Sequence, residues 1–193
     1  MGRPRGPEPY LKAGRTGDLR IERADLLPED LIYVFLDSVG DGTGTINANE
    51  DYSGSPETIL QLIAPAGYEY AINRLLVTVE DGFNGFSGEN YGAVATLTNG
   101  IEVAVHDANG NQILDLTSGL KIQSNAHWAR HCFDAVIETV GSGNSFLRVR
   151  WTFESAGDPL VLLPGCSLRV LLQDDLTGLI GHYFMAQGWR RAV

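Results

Sequence analysis

Basic charge is scarce in this chain. Only two of its 193 residues are lysine, Lys12 and Lys121, and Lys plus Arg number 14 against 24 acidic residues. Nucleic acid and anionic membranes are bound through clustered Lys and Arg, so neither is an expected partner. Cysteine is scarce too: Cys132 and Cys166 stand alone, with no CxxC pair. They read as buried thiols or one disulfide, and buried thiols are preferred because a free Cys packs as a small hydrophobe. No apolar run reaches the ~18 residues of a membrane-spanning helix. The N-terminus carries charge without an apolar core segment, so it does not read as a secretory signal. GxSxG, HExxH, a Gly-rich phosphate loop and a Cys–His nucleophile signature are all missing. No catalytic residue, metal ligand or cofactor is assigned, and the chain reads as a non-enzyme.

What is abundant is glycine, with 23 residues, beside a 44% apolar content. Short apolar runs between Gly, Asp and Asn clusters are the pattern of a turn-rich all-β protein. A chain of this length can bury about 70% of its unfolded surface without disulfide or metal support. The clearest strand is Phe146-Leu147-Arg148-Val149-Arg150-Trp151-Thr152-Phe153-Glu154. Leu147, Val149, Trp151 and Phe153 share one face, while Arg148, Arg150, Thr152 and Glu154 share the other. Residues 168–173 and 181–186 are two further strands, and the three together read as antiparallel neighbours.

Residues 31–36 form a continuous apolar run, the pattern of a strand buried on both faces. Residues 59–63 are another strand, closed by Pro65. Residues 69–80 are a long one whose parity changes at Asn73-Arg74. Tyr70 and Ile72 keep one phase and Leu75, Val77 and Val79 the other, which predicts a β-bulge or sharp bend there. Strands follow at 93–97, 101–106 and 112–116, with Asn99-Gly100 and Asp107-Ala108-Asn109-Gly110-Asn111 as turns between them. Residues 133–140 fit a strand or a short helix, and residues 119–132 are ambiguous. The fold expected is an antiparallel β-sandwich of jelly-roll type over residues 24–193, preceded by an extended arm over residues 1–23.

The arm holds six basic and three acidic residues, a net +3, against −13 for the rest. Three prolines and four glycines within residues 1–20 exclude a regular element there. The arm is either a frayed tail or an extended segment lying on a neighbouring subunit. In the second case Arg3, Arg5 and Arg15 carry the charge, and Tyr10 and Leu11 anchor it. Residues 82–92 form a glycine-rich loop with Phe83, Phe86 and Tyr91, which either offer a contact surface or tuck over the open end of the sandwich.

Several clusters invite a chemical reading. The carboxylates of residues 37–51 do not match an EF-hand. His127, His131, Cys132 and Asp134 fall short of a zinc ligand set. Asp107, Asn109 and Asn111 fit a plain hairpin turn better than a metal loop. Asp174-Asp175 would need a partner across a cleft to cleave a sugar bond, and in a turn such residues cap backbone N–H groups. Arg148, Arg150 and Arg169 form a small basic stripe if their strands are paired, suited to cross-strand ion pairs.

The loop at residues 40–44 with Asn47 and Asp51-Tyr52-Ser53, the turn Leu97-Thr98-Asn99-Gly100-Ile101, and the closing Asp174-Asp175-Leu176-Thr177-Gly178-Leu179 with Gln187-Gly188 resemble small structural proteins of tailed-phage virions. Over residues 37–190 the chain looks most like the capsid decoration or cement proteins, jelly-roll-like sandwiches that often form trimers on the head surface. The resemblance implies a homotrimer on the capsid surface, assembled in the host cytoplasm, with the major capsid protein and its own copies as partners. It implies an arm that clasps the shell or a neighbouring subunit, and no catalytic residues. Two other readings stand beside it. One is a carbohydrate-binding sandwich, free-standing or on a tail fibre, in which Phe83, Phe86, Tyr91 and Trp128 stack on sugar faces. The other is a head–tail or tail subunit.

Overall fold

The computed structural model describes residues 11–13, 19–21, 30–42, 50–81, 98–117, 132–140, 144–153 and 158–193. The chain divides into two compact units, Met1–Leu31 and Ile32–Val193, so the first takes in residues 24–31 as well as the arm. In the first unit β1 (Leu11–Ala13) pairs antiparallel with β2 (Leu19–Ile21), Lys12 opposite Arg20. The expectation that no regular element forms there is corrected. The three prolines, Pro4, Pro7 and Pro9, all precede the ladder, and Gly14 and Gly17 fall between its strands, where they break nothing.

The second unit is a sandwich of two antiparallel sheets, with no α-helix among the described residues. Its strands are β3 (Leu31–Phe35), β4 (Thr58–Ile63), β5 (Tyr68–Asp81), β6 (Glu102–His106), β7 (Gln112–Asp115), β8 (Cys132–Val140), β9 (Asn144–Thr152), β10 (Leu160–Leu162), β11 (Ser167–Leu172) and β12 (Leu179–Ala192). One sheet runs β3-β12-β5-β9-β8, with β10 beside the first part of β5. The other runs β4-β11-β6-β7.

This order corrects the reading of β9, β11 and β12 as neighbours. β9 and β12 both pair with β5, on opposite edges, and β11 lies in the other sheet between β4 and β6. A two-residue period says which face is dry, not which sheet a strand joins. Residues 133–140, open between strand and helix in the sequence, are strand, with Ala135 opposite Val149.

The core lies between the sheets. Val149 and Trp151 of β9, Val103 and Val105 of β6, and Leu168, Val170 and Leu172 of β11 are all buried there. β5 keeps its phase through the bulge expected at Asn73. Across from it the register steps from Gln187↔Arg74 to Gly188↔Ile72, so Asn73 is the extra residue and its carbonyl accepts the Phe153 N–H. Ile72 and Leu75 therefore both face the core at 0% exposure.

β3 differs from its reading as doubly buried. Ile32 and Leu36 are buried, but Leu31 is 48% and Tyr33 62% exposed, because β3 sits at the sheet margin with only one face against the core. Past its end the chain switches sheets. The Leu36 N–H donates to the Phe184 carbonyl, while Asp37 bridges Gln61 on β4. The edge of β4 is thereby bonded at Gln61 and Ile63, which leaves a shorter stretch open to a foreign strand.

One end of the sandwich is tied together by the turn after β11. Asp174 accepts from the backbone N–H groups of Thr98 (3.0 Å), Asn99 (3.0 Å) and Gly100 (2.7 Å). Its own carbonyl accepts the Tyr52 N–H, and the Leu176 N–H donates to Glu50. Asp175 caps Thr177 as an Asx turn. Both aspartates are backbone caps, as their place in a turn implies. The β6–β7 connection is a plain hairpin turn, with Asp107 accepting from the Asn109 and Asn111 N–H groups and Gly110 at φ +86°. Cys166 is a buried free thiol.

Candidate functional site

Of the residues singled out in the sequence, Arg3, Arg5, Tyr10, Arg15, Phe83, Phe86, Tyr91, His127, His131 and Trp128 lie outside the described residues, as does the strand expected at 93–97. Leu11 lies in β1, opposite Ile21. The basic stripe is only partly assembled. Arg148 and Arg150 share the wet face of β9, but Arg169 belongs to the other sheet and bonds Ser167. Its place is taken by Arg74 of β5.

That substitution builds a site. On the outward face of the larger sheet two adjoining depressions, of about 190 and 380 Å³, share Leu76, Arg148 and Met185 and so form one trough. Strand register places the side chains. Leu76 of β5 stands between Arg150 of β9 and Met185 of β12, and Thr78 between Arg148 and Tyr183. Tyr33 of β3 forms one wall, its hydroxyl 3.7 Å from the Met185 sulfur. Arg74 and Gln187 stand at one end, directly opposite each other. Arg74 has no ion-pair partner among the described residues.

Glu80 and Tyr183 stand at the other end, the Tyr183 hydroxyl donating to Glu80 at 2.9 Å. Burial first, and the carboxylate beside it second, push the Tyr183 phenol above its ordinary value. Gly181 makes room for this ring, because a Cβ there would meet the Tyr183 oxygen at 2.7 Å. From Arg74 to Glu80 the trough spans six residue steps, about 20 Å at ~3.3 Å each.

The trough was missed in the sequence, although its signal was present. Once the bulge at Asn73 is placed, Arg74, Leu76, Thr78 and Glu80 fall on one outward face, and a Leu there is out of place for a merely solvated surface. Nothing in the local pattern says that β9 and β12 flank β5, and that arrangement brings the arginines to the Met and Tyr side chains.

A second polar group lies inside the core. His182 of β12 is 1% exposed, and its Nε2 shares a 2.8 Å hydrogen bond with the Tyr52 hydroxyl. The Phe184 ring lies 5.6 Å away, and Nδ1 has no hydrogen-bond partner among the described residues. Burial lowers its pKa from 6.5 to about 4, so it is neutral at pH 7. The unfolded chain takes up this proton first as pH falls, so stability is lost between about pH 6.5 and pH 4. The loss is about 3 kcal/mol at ~1.4 kcal/mol per unit. Urea unfolding of wild type and His182→Gln at pH 7 and pH 4 checks this. The stability gap between the two proteins should close by about 3 kcal/mol at the lower pH, whereas an unchanged gap contradicts it.

Among the described residues no three His, Cys, Asp or Glu side chains gather as a metal site requires. Compared with known proteins, the chain matches no family model, no curated protein and no solved structure.

Proposed function

We propose that the protein is a non-enzymatic structural subunit of a tailed-phage virion, a decoration protein that binds and stabilises the head shell. The observation that carries this reading is the trough. Tyr, Met and Arg are the residue types enriched at protein–protein interfaces, and here they line a face about four strands wide. Such a face suits a protein partner better than a small substrate, which takes a deep enclosed pocket.

The fold supports the same reading. The order β3-β12-β5-β9 over β4-β11-β6-β7, with connections passing between the sheets, supports a jelly-roll reading as paired Greek keys. Jelly rolls of this kind build viral capsid and lectin domains, so the order fits a virion subunit without choosing the function by itself. Among the described residues, the turn sequences that resemble decoration proteins fall at turns of this frame, at residues 40–42, 98–101 and 174–179, and at the β12 irregularity at Gln187-Gly188. A basic arm on an acidic body adds directional contact, and binding only the assembled shell stabilises it by mass action.

The test is co-sedimentation with tailed-phage heads of the full chain and a chain lacking residues 1–23. The truncated protein is expected to keep its sandwich and to bind at least tenfold more weakly, about 1.4 kcal/mol. Equal binding removes the arm from the account, and no binding by either form removes the decoration reading.

A further inference from the structure

We infer that Asn109 is a site of spontaneous chemical modification, converting to aspartate and isoaspartate in the folded protein, while the same dipeptide at Asn99 is held unreactive by Asp174. The inference goes beyond the decoration reading and does not depend on it. The chain holds three Asn-Gly dipeptides, at Asn84, Asn99 and Asn109. The first lies outside the described residues, and the other two sit in turns of opposite character.

The chemistry is local. The backbone nitrogen of the following residue attacks the asparagine side-chain carbonyl carbon. A C–N bond forms, the bond from that carbon to Nδ2 breaks, and ammonia leaves with the proton that the backbone nitrogen gives up. Water then adds to the cyclic imide and opens it at either carbonyl. One opening gives aspartate. The other gives isoaspartate, whose main chain runs through the side-chain methylene. A glycine after the asparagine favours the attack, because it has no Cβ to block the approach and its backbone turns freely. In a folded chain the rate depends on whether that nitrogen and that amide can leave their hydrogen bonds.

At Asn99 both are held. Its Nδ2 donates to the Gln173 carbonyl at 3.0 Å and to Asp174 Oδ1 at 3.3 Å. The attacking nitrogen, that of Gly100, is buried and donates to Asp174 Oδ2 at 2.7 Å. One carboxylate thus grips nucleophile and leaving group together, through bonds strengthened by its charge. At Asn109 the same groups are open. Asn109 and Gly110 are exposed, and the Asn109 side-chain amide has no hydrogen bond among the described residues. Nothing lies within 4 Å of where a Gly110 Cβ would stand. The Gly110 N–H is restrained by a single bond, to the Asp107 carbonyl at 3.0 Å. An exposed turn bond of this kind opens at little cost.

The product is not equivalent to the parent. It places a second carboxylate two residues from that of Asp107. Isoaspartate also lengthens the main chain between the Asn109 and Asn111 N–H groups, which Asp107 Oδ1 gathers. Among the described residues β7 pairs with β6 alone, so β7 is the strand that loosens, while β6 stays bonded to β11.

The test is peptide mapping by tandem mass spectrometry, with enzymatic detection of isoaspartate, on full-length proteins held in warm, mildly alkaline buffer. In folded wild type, conversion at Asn109 is expected to be at least about tenfold faster than at Asn99. Asn109→Gln should abolish isoaspartate at that turn. Asp174→Ala should speed conversion of Asn99 by at least about tenfold. Gly188→Ala controls for lost stability, since it strains the β5–β12 ladder and leaves the Asp174 cap in place, and Asn99 should stay slow in it. In urea the wild type should convert at both sites alike. Equal rates at the two sites in the folded wild type overturn the inference, as does an Asn109 that stays intact until the chain is unfolded. Conversion of Asn99 as fast in Gly188→Ala as in Asp174→Ala overturns the protective role of Asp174 and assigns it to overall stability.

Discussion

Gly188→Ala is expected to destabilise the sandwich by about 3 kcal/mol or more, the upper range for overpacking. A Cβ at this position would lie 2.0 Å from the Ala71 carbonyl oxygen and 2.8 Å from the Ile72 Cα. Both are backbone atoms of β5, so no side chain can rotate away. The clash follows from the bulge. Asn73 is extruded, the register shortens by one residue, and Gly188 is drawn against the backbone of β5. Relief would require β5 and β12 to part along the longest ladder among the described residues. Typical domains have about 5–15 kcal/mol of stability, so the loss is a large share of the total. Gly54→Ala is the control, because nothing lies within 4 Å of its Cβ. Urea midpoints should fall sharply for the first variant and stay put for the second. Equal midpoints would refute the register assigned here.

Asp174→Ala is expected to cost about 3 kcal/mol, within the range for removing a charged acceptor from buried donors. Asp174 is 8% exposed, and its carboxylate gathers three consecutive backbone N–H groups together with the Asn99 amide. Removing it strands the Gly100 N–H, which is buried. Asp174→Asn should lose less, since one acceptor oxygen remains while the new NH₂ faces donors. Chemical denaturation gives the cost, and hydrogen exchange locates it. The Gly100 amide should exchange far faster in Asp174→Ala. A change under about 0.5 kcal/mol, the scatter of ordinary surface substitutions, would show that the turn is held otherwise.

Both predictions concern joints between elements, where local pattern says least. The dry face of β9, the bulge at Asn73 and the Asp107 hairpin were legible because each is a local rule: period two, a parity change, an Asx turn. The partners of those elements were not. Asp174 read as a turn residue, and it is one, but its target loop lies far back in the chain at Thr98, Asn99 and Gly100. The pairing of β9 and β12 on either side of β5 depends on how strands alternate between sheets. Hairpin logic therefore misplaced Arg169 and missed Arg74. β3 misled because an apolar run is read as buried, whereas Leu31 and Tyr33 face outward at the sheet margin. Tyr33 then becomes a wall of the trough. The all-β sandwich was thus readable from the sequence, while the candidate site waited on strand order.

The acidic sandwich is proposed to act as an assembled structural subunit. Its most direct test is the light-scattering mass of the full-length protein at low ionic strength. Three 20.9 kDa chains, about 63 kDa, is the predicted result, matching the local threefold positions of a head shell. A mass of 20.9 kDa at every concentration reached would contradict it.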